Sequence, residues 1–245
     1  MRRIKLEVQY DGTDYAGWQW QENRPTIQGE LRRALAAVLG QAPGLAAAGR
    51  TDAGVHALGQ VVTFDTDHPI PAANLQRALN DRLPPAVYVE SAEEVAPEFH
   101  PRFSATGKLY CYRVLNRPGG SPFLTRYAWH VPAPELDPAR MGSAAELLQG
   151  QHDFAAFRSA GSAVKSTVRH LWRLDLQRHG ELLEAHFGAD GFLYQMVRNL
   201  MGTLVQVGRG ELAPAQAAEL LGGRDRTQVG PPAPPQGLCL IRVYY

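Results

Sequence analysis

The segment Gly49-Arg50-Thr51-Asp52-Ala53-Gly54-Val55-His56-Ala57 sets an arginine and an aspartate two residues apart between glycines. Glycine permits tight turns and lets a ligand approach the chain closely. Arginine holds a phosphate, or pairs with a carboxylate through two parallel N–H bonds. Asp52 can act as nucleophile, as general base or as the cap of an Asx turn. An ordinary turn with a solvated ion pair has the same composition, so the segment alone leaves a binding loop and a plain turn both open. His56 follows Asp52 by four residues. That spacing guarantees proximity only in a helix, which these glycines break, and His56 is read as structural.

Other chemistries lose their residues. No GxGxxG follows a strand pattern, and Val55-His56 stands where a P-loop needs lysine and Ser/Thr. HExxH, GxSxG, HxE…PCxxC and paired CxxC motifs do not occur. The two cysteines, Cys111 and Cys239, make neither a disulfide framework nor a thiolate zinc site, and they fit a reducing cytoplasm. The eight histidines form no cluster with metal spacing along the chain, so no metal role is expected of them. No apolar run reaches about 18 residues, so no membrane span is expected. Alternation begins at once after Met1-Arg2-Arg3, without the apolar stretch of a secretory leader.

Stepping from chemistry to scaffold, Arg3 to Tyr10 alternates as a strand with Ile4, Leu6 and Val8 on one face, and Asp11 to Asp14 turns the chain. Thr26 reads as the N-cap of a helix carrying Ile27, Leu31, Ala34, Leu35 and Val38 as far as Gly40. After a glycine-rich stretch, Val61 to Phe64 reads as a strand, Pro71 opens a helix through Leu75 and Leu79, and Val87 and Val89 lie on the next strand. The later part echoes this order. Lys108 to Leu115 is a strand, and Asp137-Pro138 starts a helix bearing Met141, Ala144, Ala145 and Leu148. Thr167 to Gln177 and Glu181 to Phe187 are strands across a His179-Gly180 turn. Helices are expected from Gly191 to Val207 and from Pro214 to Gly222-Gly223, then a Pro-rich loop from Thr227 to Gln236 and a last strand from Leu238 to Val243.

Helices do not alternate strictly with single strands, which disfavours a doubly wound parallel sheet. The expected class is α+β: two similar α/β halves with largely antiparallel sheets, residues 1–103 and 104–245. With 245 residues, the chain has room for two such domains and a sizeable core. Net charge is only +1, but 22 of the 25 basic residues are arginine, the type suited to phosphate forks and to stacking on bases. GC-rich coding favours arginine too. Residues 1–103 carry net −3 and residues 104–245 net +4, so the second half is the more basic.

Several segments together resemble one family. Gly49 to Ala57 is similar to the signature of the tRNA pseudouridine synthases that modify positions 38 to 40 of the anticodon stem-loop. Tyr10-Asp11-Gly12-Thr13-Asp14-Tyr15-Ala16-Gly17-Trp18-Gln19, Thr26-Ile27-Gln28-Gly29 and Gly59-Gln60-Val61-Val62 resemble its N-terminal blocks. Phe99-His100-Pro101-Arg102-Phe103-Ser104-Ala105 leads into Lys108-Leu109-Tyr110-Cys111-Tyr112 as in that family. Gln149 to Phe154, Phe157-Arg158, Phe192 to Asn199, Gly208, Asp225-Arg226, Ala233-Pro234 and Gly237-Leu238 continue the match in family order.

The resemblance implies a pseudouridine-synthase fold with its active cleft between two halves, and isomerisation of uridine in tRNA. It implies Asp52 as the catalytic carboxylate, Tyr110 stacked on the target base, and Arg198 paired with the aspartate. It further implies a homodimer, tRNA as the partner, and no metal or organic cofactor. Arg50 is a good candidate to fill or hold the region vacated by the flipped base, by phosphate or base contact, and Lys108, Arg102, Arg158 and Arg2 are weaker candidates for backbone phosphates. Met196, Val197, Leu200, Leu204 and Val207 read as a core stripe, and Trp18 and Trp20 as core or cleft residues, with core the favoured reading.

Overall fold

A computed structural model describes residues 1–161, 164–223 and 229–245. Among these, the chain is a mixed α/β protein with ten strands, mostly antiparallel, and five α-helices. It divides into two compact units, Met1–Thr106 with Cys239–Tyr245, and Gly107–Leu238. The C-terminal strand therefore belongs with the first unit, whereas chain order had placed it with the second half.

In the first unit, β1 (Arg2–Tyr10) lies between β3 (His56–Thr66) and β4 (Val87–Val95), antiparallel to both, with Leu6 opposite Val62 and Ala92. The short β2 (Ala46–Ala47) is antiparallel to β3. β10 (Leu238–Tyr244) runs parallel to β3, with Cys239 opposite His56. As the alternation requires, Ile4, Leu6, Val8 and Tyr10 are all buried. Ile27, Leu31 and Leu35 of α1 (Ile27–Leu39) and Leu75 and Leu79 of α2 (Ala72–Asn80) are fully buried as well, with α2 packed on β4 and on α1. The Thr26 side chain accepts the Gly29 N–H and starts α1; Gly40, in left-handed backbone, ends it. β3 begins five residues earlier than its apolar run suggested, because it pairs with β1 as far back as Ala57.

In the second unit, β5 (Gly107–Asn116), β9 (Leu182–Ala189), β8 (Val168–His179) and β7 (Gly150–Asp153) follow one another in antiparallel order. β6 (Trp129–Val131) is parallel to β5. The helices are α3 (Pro138–Leu148), α4 (Met196–Gly208) and α5 (Pro214–Gly222). Asp137 caps α3 by accepting the Ala139 and Arg140 N–H groups. α4 starts at Met196, not Gly191, because Gln195 takes left-handed backbone (φ 57°) immediately before it. Its Met196, Val197, Leu200, Leu204 and Val207 are buried, as the stripe predicts. Asp225-Arg226 and the start of the Pro-rich loop lie outside the described residues.

Candidate active site

The Asp52 loop rests on the block that leaves β1. Tyr10 is buried, and its hydroxyl lies 2.8 Å from that of Thr51. The Gln60 amide, on β3, donates to the Tyr10 oxygen (3.3 Å) and to the Gly49 carbonyl (2.9 Å). Burial pushes the Tyr10 phenol well above the ordinary tyrosine range, opposed by its bonds to Thr51 and Gln60, so it stays neutral. Trp18 N–H donates to the Thr51 carbonyl (3.0 Å), and Val55 N–H closes a turn onto the Asp52 carbonyl (3.2 Å).

Two glycines of the same block make this contact possible. A Cβ on Gly12 would stand 2.0 Å from the Val55 carbonyl oxygen. One on Gly17, whose φ is +98°, would stand 2.8 Å from the Thr51 oxygen. Gln28 ties in the third block: its Oε1 accepts the Trp20 N–H and the Gln19 amide, both at 2.9 Å. The backbone on both sides of Asp52 is thus fixed by residues 10–18 and 60, while the carboxylate residue itself stays half-buried. Arg50 lies on the exposed flank of the loop.

His56 is buried beneath this arrangement. Its Nδ1 accepts the Gly12 N–H (3.1 Å) and lies 3.2 Å from Asp11 Oδ1, which also takes the Thr13 N–H and hydroxyl. It props the supporting block, consistent with a structural role. Trp18 is core, but Trp20 is not: it is half exposed, with the Arg32 guanidinium 5.8 Å from its ring. Tying its backbone to Gln28 leaves the ring on the surface.

Arg102 is exposed, 5.8 Å from the ring of Phe103, itself 77% exposed. The turn is set by His100, whose Nδ1 faces the Arg102 and Phe103 N–H groups at 3.1 and 3.3 Å. Arg2 is a poor phosphate ligand, because its guanidinium already serves Glu94 and the carbonyls of His68 and Ile70.

The second unit holds the other family positions. Tyr110 sits on β5 opposite Phe187, largely buried, with its ring edge-on to Phe192 (5.1 Å, 85°). Tyr112, on the same face, is fully buried and donates to the Pro234 carbonyl (2.6 Å). Its burial raises the phenol well beyond the usual range, against a smaller opposing effect of the Arg198 charge. Arg198, half-buried on α4, donates from Nε to the Ala233 carbonyl (2.6 Å) and accepts the Ala233 N–H at its own carbonyl (3.0 Å). Nε is thereby committed to this clamp, which fixes the guanidinium relative to α4.

The neighbouring Asn199 is fully buried and donates to the Phe157 carbonyl (2.7 Å), tying α4 to the turn before Arg158. Arg158 and Lys108 are both half-buried. Sequence reasoning did not single out Gln60, Tyr10, Tyr112 or Asn199 for supporting roles. Their signal was their place inside the matching blocks.

Comparison with known proteins accords with these blocks. A family model described as tRNA pseudouridine synthase matches residues 7–104 and 144–245. The "tRNA pseudouridine synthase A" of Geobacter sulfurreducens is 46% identical over 245 residues, and that of Ruminiclostridium cellulolyticum 42% over 246, each covering 100% of both chains. That of Moorella thermoacetica is 45% identical over 244 residues and 99% of both chains. A solved Cbf5-Nop10-Gar1 complex aligns with 97% of this chain and 58% of its own, at 13% identity and a TM-score of 0.40, too slight a likeness to bear on function. On the full-length identities and the family match, this chain belongs to the tRNA pseudouridine synthase family.

Proposed function

We propose that this protein isomerises uridine to pseudouridine at positions 38, 39 and 40 in the anticodon stem-loop of tRNA, with Asp52 as the essential carboxylate. The observation that carries the reaction is the end-to-end identity of 42–46% with tRNA pseudouridine synthases A. The choice of stem-loop positions rests on the sequence blocks that surround Asp52.

The reaction breaks the N1–C1′ bond of uridine, turns the uracil and rejoins it through C5. It is redox-neutral and consumes nothing. Attack at C1′, attack at uracil C6 and removal of the C2′ proton each need an ionised oxygen at a fixed place. A half-buried aspartate whose flanking backbone is held from both sides suits all three. Arg198, whose Nε is held by the Ala233 carbonyl, is assigned as its pairing cation. Tyr110 is the wall on which the freed uracil turns; base–aromatic stacking is worth about 1–3 kcal/mol.

The target uridine must first leave its stack, at a few kcal/mol. Arg50, exposed beside Asp52, holds the vacated region, and Lys108, Arg102 and Arg158 contact phosphates. The same reading makes the protein a cytoplasmic homodimer whose chemistry uses neither metal nor cofactor. No helix among the described residues is long and apolar enough to cross a membrane.

The test is mass-spectrometric mapping of pseudouridine in unmodified tRNA transcripts treated with wild type or Asp52→Asn. Product at positions 38–40 with the wild type, and none with a variant that still binds tRNA, is the expected result. Near-wild-type turnover by D52N in single-turnover assays would remove Asp52 from the mechanism. Wild-type binding without any product would make the chain an RNA-binding protein on an enzyme's scaffold.

A further inference from the structure

Antiparallel pairing in the second unit places Cys111 of β5 directly opposite His186 of β9. Glu184 lies two residues before His186, and so on the same face. The Cys111 thiol, a His186 ring nitrogen and a Glu184 carboxylate oxygen all come within 4.8 Å of one another. This face is opposite the one that carries Tyr110 and Tyr112. Cys111, His186 and Glu184 are not among the residues assigned to the reaction.

The cluster is sheltered but not sealed. Cys111 is buried, and the His186 and Glu184 side chains are 16% and 18% exposed. His186 Nδ1 is buried and has no hydrogen-bond partner. A buried nitrogen in that state is the kind of unmet group that a bound ion explains. Asp175 Oδ2, on β8, is 3.7 Å from that nitrogen, too far for a hydrogen bond, and the Asp175 carboxylate is already held by Arg173. Glu184 accepts from Arg113 Nε at Oε1 (2.8 Å), and one of its carboxylate oxygens is the one within 4.8 Å of the thiol and the ring.

We propose that Cys111, His186 and Glu184 form a binding site for a borderline divalent transition-metal ion of the zinc or cobalt type. Sulfur, nitrogen and oxygen donors together select such ions over magnesium or calcium, which take oxygen alone. Binding deprotonates the Cys111 thiol and releases that proton to solvent. Thiolate and carboxylate then offset the two charges of the ion; only one proton is released, so binding leaves this half-buried face one unit more positive than before. With three protein ligands, water completes a tetrahedral shell. The ion fastens β5 to β9 behind Tyr110. Its role is structural, and the inference does not depend on the reaction proposed above.

Cobalt(II) is titrated into the full-length protein, and the near-ultraviolet thiolate-to-cobalt charge-transfer band is followed. The band is expected in the wild type and in Cys239→Ser, and is expected to vanish in Cys111→Ser. His186→Ala and Glu184→Gln should each weaken binding by about tenfold or more. Arg113→Ala should tighten it, because Glu184 is released from its ion pair; a purely structural cluster gives no reason for that change. Melting in chelator checks that each variant is folded, and if C111S does not fold, H186A and E184Q decide. Zinc should raise the melting temperature of the wild type and raise that of the folded ligand variants by less. Absence of the band in the wild type, its persistence in folded C111S, its loss in C239S, or wild-type affinity in both H186A and E184Q would overturn the site.

Discussion

Gly12→Ala should separate the position of the catalytic loop from the stability of the fold. The new methyl carbon would be built 2.0 Å from the Val55 carbonyl oxygen and 2.7 Å from its carbon. Real Cβ atoms essentially never come closer than 3.0 Å to such atoms, so one backbone must give way by about 1 Å. Neither is free to do so independently. The Gly12 N–H is bound to His56, and the Val55 N–H is bound to the Asp52 carbonyl. The displacement therefore reaches Asp52. A misplacement of about 1 Å at a reacting group costs on the order of 100-fold in rate, or about 2.7 kcal/mol of barrier. Gly40→Ala is the control. Gly40 has φ +80° with nothing within 4 Å of its would-be Cβ, so alanine there meets backbone strain of about 1–2 kcal/mol and no clash. Single-turnover rates with saturating enzyme, tRNA affinity and urea unfolding would be measured for both. The expectation is a slow, tRNA-binding, folded G12A beside a less stable G40A that turns over at the wild-type rate. If folded G12A reacts as fast as wild type, or if G40A slows as much as G12A, then residues 10–17 do not position Asp52.

Tyr112→Phe removes the hydroxyl that binds the Pro234 carbonyl, and urea unfolding at neutral pH should show a loss of about 1 kcal/mol. Burial raises the Tyr112 phenol in the folded protein, so its contribution is complete below the unfolded tyrosine value of about 10 and declines as pH rises further; the gap between Y112F and wild type should narrow in that alkaline range, and a constant gap would contradict the burial. Asp65→Asn breaks a two-bond contact with Arg3 across β1 and β3, both bonds 2.8 Å. Those bonds hold the Asp65 carboxyl below its ordinary range, so its stabilisation is present above about pH 4 and is lost as pH falls through the lower folded value. With the pair about one-third exposed, D65N should cost at most about 1 kcal/mol at pH 7 and nothing in strong acid; an equal deficit at both pH values would show that the charge is irrelevant.

What could be read along the chain were features whose cause is local. The alternation of Ile4, Leu6, Val8 and Tyr10, the Thr26 cap, Asp137-Pro138 and the His179-Gly180 turn each depend on a few neighbouring residues, and each stands where expected. What could not be read were partners brought together by folding. Gly12 looked like a turn residue, and Gly17 stood only as a letter of a matching block; their place against Val55 and Thr51 appears only once β1 and β3 are paired. The pairing of β10 with β3 is equally invisible in chain order, because a parallel neighbour carries no turn signal to announce it. Trp20 was misread as core because composition cannot tell a buried indole from one lying under an arginine. Metal spacing was sought along the sequence, where Glu184-Ala-His186 offers two ligands and no third. The strand register supplies Cys111. The same physics accounts for the matching blocks at residues 10–19, 26–29, 49–62 and 192–199. Their side chains and glycines fix backbone around Asp52 and Arg198 through contacts that tolerate little change in volume, so the blocks stay recognisable as text even though the reason for each residue lies in another block.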